Sequence, residues 1–227
     1  MASVVKPHII TDDLVFCVDK DDPKCNFYSS TSRGKERVQN IITTSSSSTS
    51  QTYATGDVSS FMNDYSEITA MLWVTKTGTS TGYAEHPFNK WQTSGNSING
   101  ASLILYHFGN YNSNGDDGEF GFYFGLGGDT WAGTSRTTLV VGDSAFMCLQ
   151  YTASTGSQFW RDGEKVHASR QNTGKGNGGG DSNRNFNIFT GPASNNSYVS
   201  KVMIYDKDVD DDVIIHNYNV TKSRFGH

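Results

Sequence analysis

Chemistry in this chain would have to come from its carboxylates, or from its tryptophans and asparagines. The tightest acidic group is Asp116, Asp117 and Glu119, at the end of the segment NYNSNGDDGE (110–119). Glycoside hydrolysis needs two carboxylates facing one sugar, about 5 Å apart for retention of configuration. A loop rich in Asn, Ser and Gly offers no such rigid pair, and the trio reads as solvated loop charge. The sequence has no G-x-S-x-G elbow, no P-loop and no H-E-x-x-H. The Gly-rich stretch 174–180 has no helix after it to offer phosphate a dipole. The expectation is a chain without catalytic activity.

Binding is the better-supported chemistry. Sugar sites pair an aromatic platform with amide, carboxylate and backbone partners. Three stretches have that composition: Trp91 with Asn96 and Asn99; His107 with Asn110, Tyr111 and Asn112; and Asp129 with Trp131. The competing reading of each ring is core packing. Calcium takes oxygen ligands from neighbouring carboxylates and carbonyls. Asp19, Asp21 and Asp22, or Asp116, Asp117 and Glu119, would be its ligands, with plain structural charge as the alternative. Cys17 and Cys25 flank VDKDDPK and pair if the strands allow it, while reduced thiols are the default in a cytoplasm. Cys148, in AFMCLQY, reads as core. No CxxC spacing or His cluster points to zinc.

The elements that position these residues are strands. The 227 residues are 12% aromatic and include 24 Gly, a composition of strands and turns rather than helices. Strands are expected at 14–18 (LVFCV), 68–75 (ITAMLWVT), 101–108, 120–126, 137–141, 144–151, 186–189 and 199–205. The segment 86–91 (HPFNKW) reads as a Pro-containing loop. The Ser/Thr-rich stretch 29–60 reads as edge strands and loops of the same domain. Asp162-Gly163 between β-rich flanks predicts a type I′ hairpin. About ten strands of this kind predict an all-β, two-sheet antiparallel sandwich.

One helix is expected, at the end of the chain. Asp206 or Asp208 is its candidate N-cap, and Asp210, Asp211 and Asp212 suit the helix dipole. Val209, Val213, Ile214 and Tyr218 make one apolar face, expected to seal one end of the sandwich. Residues 1–13 read as an arm and 14–227 as one domain. The net charge is −5 with no basic run, which argues against nucleic acid as a partner. No apolar stretch approaches the ~20 residues of a membrane span. The N-terminus lacks the apolar core of a secretory signal, so folding in a cytoplasm is expected.

The ordered set LVFCVDKDDP, ITAMLWVT, FWRDGEKV and VSKVMIYDKDVDDDVIIHNYNVTKSRFG resembles the concanavalin A-like, laminin-G-like jelly rolls. It is most similar to stand-alone laminin-G-like proteins of tailed bacteriophages of cyanobacteria and marine bacteria. Asn217, Tyr218, Asn219, Arg224, Phe225 and Gly226 match that group's ending, while 29–60 departs from its usual pattern. Glucanases of this fold carry Glu-x-Asp-x-x-Glu on a strand, and this chain does not. Related laminin-G domains often hold calcium at a sandwich edge. The resemblance implies a virion protein assembled in host cytoplasm: a capsid decoration or a tail-associated module. Its partners would be other virion proteins, further copies of itself, or a cell-surface glycan.

Overall fold

A computed structural model describes residues 9–10, 12–19, 27–30, 34–37, 41–43, 50–53, 62–79, 85–90, 103–108, 119–126, 131–179, 186–189 and 196–227. In chain order the strands begin with β1 (Leu14–Asp19), β2 (Phe27–Ser30), β3 (Gly34–Arg37), β4 (Ile41–Thr43), β5 (Ser50–Tyr53) and β6 (Asp64–Tyr65). They continue with β7 (Glu67–Lys76), β8 (Glu85–Lys90), β9 (Leu103–Phe108), β10 (Glu119–Gly125), β11 (Trp131–Gly133) and β12 (Thr137–Thr138). The last are β13 (Ser144–Thr152), β14 (Gly156–Arg161), β15 (Glu164–Lys165), β16 (Gly178–Gly179), β17 (Phe186–Phe189) and β18 (Ser197–Tyr205). One α-helix, α1 (Asp211–Thr221), runs into a 3-10 turn at Lys222–Phe225.

The first sheet is ordered β15-β14-β13-β7-β18-β1-β2-β3 and the second β11-β10-β9-β8-β17-β5-β4, with β12 also on β10. A two-residue ribbon, β16 with β6, stands apart from both. The fold is the expected all-β sandwich; within 29–60 the described residues give edge strands β3 and β4, one to each sheet, with β2 and β5 paired inside them. Between the sheets, Ile68, Ala70, Leu72 and Val74 of β7 meet Phe120, Phe122 and Phe124 of β10 in one apolar core. Complete burial of such side chains contributes about 1.5–3 kcal/mol each.

The outer face of the first sheet is buried as well. Met71, Trp73, Phe146, Cys148, Met203 and Tyr205 form a second core there with Val209 and Ile214. Strands covered on both faces read as continuous apolar runs rather than alternating ones. This corrects the expected place of the helix: α1 covers a sheet face instead of sealing an end. Trp73 is the contact point. Its ring stacks on Phe225 at 4.5 Å and on Tyr218 at 6.0 Å. Its Nε1–H donates to Thr221 Oγ1 at 2.8 Å, and that hydroxyl donates to Asn217 O at 2.6 Å.

Polar groups under the helix are satisfied. Asn217 Nδ2 donates to the Tyr205 hydroxyl at 2.7 Å. Gln150 donates to Val209 O at 2.7 Å and accepts from Trp160 Nε1 at 2.6 Å. Arg224 grips the buried Asp19 carboxylate with both terminal nitrogens, and Lys201 Nζ adds a contact at 3.1 Å. Asn217, Tyr218, Arg224 and Phe225 therefore dock the helix and the turn after it on the sheet.

Three further expectations are corrected. The N-cap is Asp210, with no side-chain cap bond, while Asp208 is held by Arg170 at 2.6 Å. Residues 86–90 belong to β8, with Pro87 at the register shift between Glu85 and Phe88, where a missing N–H is tolerated. Val140 and Val141 are exposed in the turn before Gly142 (φ 98°), not in a strand. The hairpin expectation holds: Asp162 and Gly163 both have positive φ, 52° and 82°. The described residues contain no helix long and apolar enough to cross a membrane.

Trp73→Ala is expected to lower stability by about 3–5 kcal/mol, whereas Val140→Ala changes it by no more than about 0.5 kcal/mol. Urea unfolding followed by circular dichroism measures both.

Candidate functional site

The register of the second sheet sorts the candidate residues into two groups. Leu103 of β9 pairs with Phe124, Gly125 with Trp131, and Asn89 with Ile104. Lys90 of β8 therefore ends beside the start of β9, the end of β10 and the start of β11. Residues 91–102, with Trp91, Asn96 and Asn99, join Lys90 to Leu103. Residues 127–130, with Asp129, join Leu126 to Trp131. At the opposite end Glu119 pairs with Phe108 and with Thr138. Residues 109–118, with Asn110, Tyr111, Asn112, Asp116 and Asp117, start there. Trp91, Asn96, Asn99, Asn110, Tyr111, Asn112, Asp116, Asp117 and Asp129 lie outside the described residues.

A polar group stands at the first end. Gly178 pairs with Tyr65 and Gly179 with Asp64, and Gly179 bridges to Leu126. Lys90, fully buried, donates its ammonium to Asn63 Oδ1. Asn177 Nδ2 donates to Asp64 Oδ1 at 3.1 Å, and both residues are exposed. Beneath them Tyr151 meets Tyr65 edge-on at 6.1 Å and Phe124 at 4.6 Å. The Tyr151 hydroxyl donates to Gly176 O, and burial pushes its pKa up. The arrangement sets the exposed Asp64 and Asn177 above buried core aromatics, next to the strand ends at Lys90 and Leu126. Sequence reading missed Asn63, Asp64, Lys90 and Asn177. The Asn-Gly-Gly run at 177–179 was their one local signal.

That run also explains the Gly-rich stretch. A Cβ on Gly178 would lie 2.2 Å from the Tyr65 ring, so the glycine lets two chain segments close together.

The other end holds the remaining candidates. His107 is fully buried and stacks on Phe120 at 4.5 Å with an interplanar angle of 4°. Its ring is part of the packing. Glu119 pairs with Arg136 at 3.2 Å. The described residues contain no group of three His, Cys, Asp or Glu placed to hold a metal ion. Asp19, from the other acidic trio, is buried against Lys201 and Arg224; Asp21 and Asp22 lie outside the described residues. So does Cys25, and with it any pairing to Cys17. Cys148 is a buried thiol in the outer core whose pKa burial raises further.

No protein-family model matches the sequence, and no curated protein sequence matches it. Solved structures do. Trypanosoma rangeli sialidase is similar with a TM-score of 0.57 and 13% identity, over 100% of this chain and 36% of that one. The same sialidase has also been solved with sialic acid. The botulinum neurotoxin serotype G binding domain is similar with a TM-score of 0.58 and 7% identity, over 92% of this chain and 51% of that one. A botulinum neurotoxin type C structure, described as depending on two ganglioside molecules for cell entry, matches with a TM-score of 0.53 and 9% identity, again over 92% and 51%. The chain thus spans between a third and a half of these proteins, and the likeness shows the fold. One expectation is corrected: enzymes stand among the similar structures, so missing motifs do not exclude catalysis.

Gly178→Ala is expected to cost about 1–3 kcal/mol by overpacking against Tyr65. Lys175→Ala, exposed in the same stretch, stays within about 0.5 kcal/mol of the parent. Urea midpoints of the two variants provide the check.

Proposed function

We propose that the chain is a glycan-binding module whose sugar site lies at the sandwich end where β8, β9, β10 and β11 meet the β6–β16 ribbon. One observation carries this reading. Strand register brings Lys90 and Leu103, Leu126 and Trp131, the described residues that flank the candidates in sequence, to the same end as Asn63, Asp64 and Asn177. Aromatic faces stack on the C–H faces of a sugar while amides and carboxylates take its hydroxyls. Proteins of similar fold solved with sialic acid or linked to gangliosides support sialylated sugars as the first class to test. The fold alone does not decide function.

The resemblance of 199–226 to phage proteins favours a second reading about setting: display on a virion, as capsid decoration or on the tail, with other virion proteins as partners. Mass spectrometry of purified particles tests it. Recovery of the chain at a fixed copy number supports the setting, and its absence from intact particles removes it.

For the binding site, a glycan array with the purified protein is expected to show saturable, sugar-competed binding to one class. Trp91→Ala and Trp131→Ala are each expected to weaken that binding about tenfold, on the scale of a lost aromatic anchor. A silent array from folded protein, or undiminished binding by both variants, would overturn the assignment.

A further inference from the structure

Packing accounts for Gly178 and Gly179 in the Gly-rich stretch, but not for the two glycines before them. A Cβ on Gly174 or Gly176 would meet nothing within 4 Å. Backbone shape sets these two apart. Asn172, Gly174 and Gly176 have φ of 56°, 68° and 84°, while Thr173 and Lys175 between them keep negative φ. Gly and Asn enter the left-handed region more readily than other residues. Alternation of this kind turns successive N–H groups toward one side, making a concavity in which main chain holds anions. Such a cradle needs no helix behind it.

The loop is fixed at both ends and bare between them. Gln171 and Ser157 exchange main-chain hydrogen bonds at 2.6 and 2.7 Å. Asn172 Nδ2 donates to Gly133 O at 2.9 Å and to Ser157 Oγ at 3.0 Å. At the other end the buried Tyr151 hydroxyl donates to Gly176 O. In a trans peptide the N–H points opposite to the C=O, so the Asn177 N–H faces away from Tyr151. The N–H groups of Gly174, Gly176 and Asn177 have no hydrogen-bond partner among the described residues, and 173–177 are all exposed. Lys175, in the middle of the loop, likewise makes no ion pair or hydrogen bond there, whereas Arg136, Arg161, Lys165, Arg170 and Lys207 each meet a carboxylate.

We propose that residues 173–177 hold the carboxylate of an acidic sugar, with main-chain N–H groups and the Lys175 ammonium as its donors. This rests on the glycan reading and assigns the charged part of that ligand to a part of the site. The loop stands at the same end of the sandwich, since Asn177 meets Asp64 and Gly179 bridges to Leu126. One cation with the Asp64 carboxylate close by suits a monoanion that carries hydroxyl groups, which Asp64 can accept from, rather than a phosphate dianion.

Amide shift titration and calorimetry of the full chain with sialyllactose, its carboxylate methyl ester and lactose test this. Sialyllactose is expected to move the amide protons of Gly174, Gly176 and Asn177 downfield and saturably, while the ester and lactose leave them in place. The ester is expected to bind about tenfold more weakly, on the scale of lost hydrogen bonds to a charged group. Lys175→Glu is expected to weaken sialyllactose about tenfold and to leave the ester nearly unaffected. Gly174→Val, whose branched side chain disfavours positive φ, is expected to lose the loop shifts, and Gly174→Asn to keep them. Sialyllactose that shifts Leu103, Gly125 and Leu126 while 174–177 stay still, or an ester that binds as tightly as the acid, would overturn the carboxylate site and leave the glycan reading standing. No response to any of the three sugars would overturn both.

Discussion

The central strands of the first sheet, β7, β13 and β18, have no face left for water, and the rest of the structure answers to that constraint. β7, β13 and β18 are apolar on both sides, so a second layer must cover each side. The second sheet covers one and the C-terminal helix the other. Trp73 joins helix to sheet through stacking and through its bond to Thr221. Asn217, Gln150 and Asp19 lie in the same layer, where a polar group is tolerable only when fully bonded. Asp19 meets two cations, a geometry that offsets desolvation better than a single partner would. The end of the chain is thus part of the core, and the motif residues there do structural work.

Much of the fold was legible in the sequence because burial on both faces leaves unbroken apolar runs, such as ITAMLWVT and AFMCLQY. The Asp162-Gly163 turn was legible because both positions need positive φ. The helix was legible from its spacing, but its partner was not. Amphipathicity shows that one side is covered and says nothing about by what. Pro87 hid β8, since a proline argues against a strand unless it falls at a bulge or edge. Val140 and Val141 misled because their β-propensity is local, while the turn at Gly142 is set by bonds to Lys76. Among closely spaced aspartates the type of residue cannot choose the N-cap; Asp208 forms an ion pair with Arg170 and Asp210 takes the cap position.

The candidate site was legible in composition but not in place. Trp91, Asn110 and Trp131 looked equivalent as loop aromatics and amides. Register separates them, putting the connections from Lys90 and Leu126 at one end and that from Phe108 at the other. His107 looked like a loop ligand and is interior packing against Phe120. Asp64 and Asn177 are far apart in sequence and meet beside the β6–β16 ribbon, a long-range pairing whose partner the local Asn-Gly-Gly run at 177–179 does not report.

Amide chemical-shift mapping during titration with sialylated and then neutral oligosaccharides tests the central claim most directly, since it reads both ends of the sandwich at once. Saturable shifts at Leu103, Gly125, Leu126 and Gly179, with Phe108, Glu119 and Thr138 unmoved, are the predicted result. Shifts confined to Phe108, Glu119 and Thr138, or no response to either sugar class, would contradict the account.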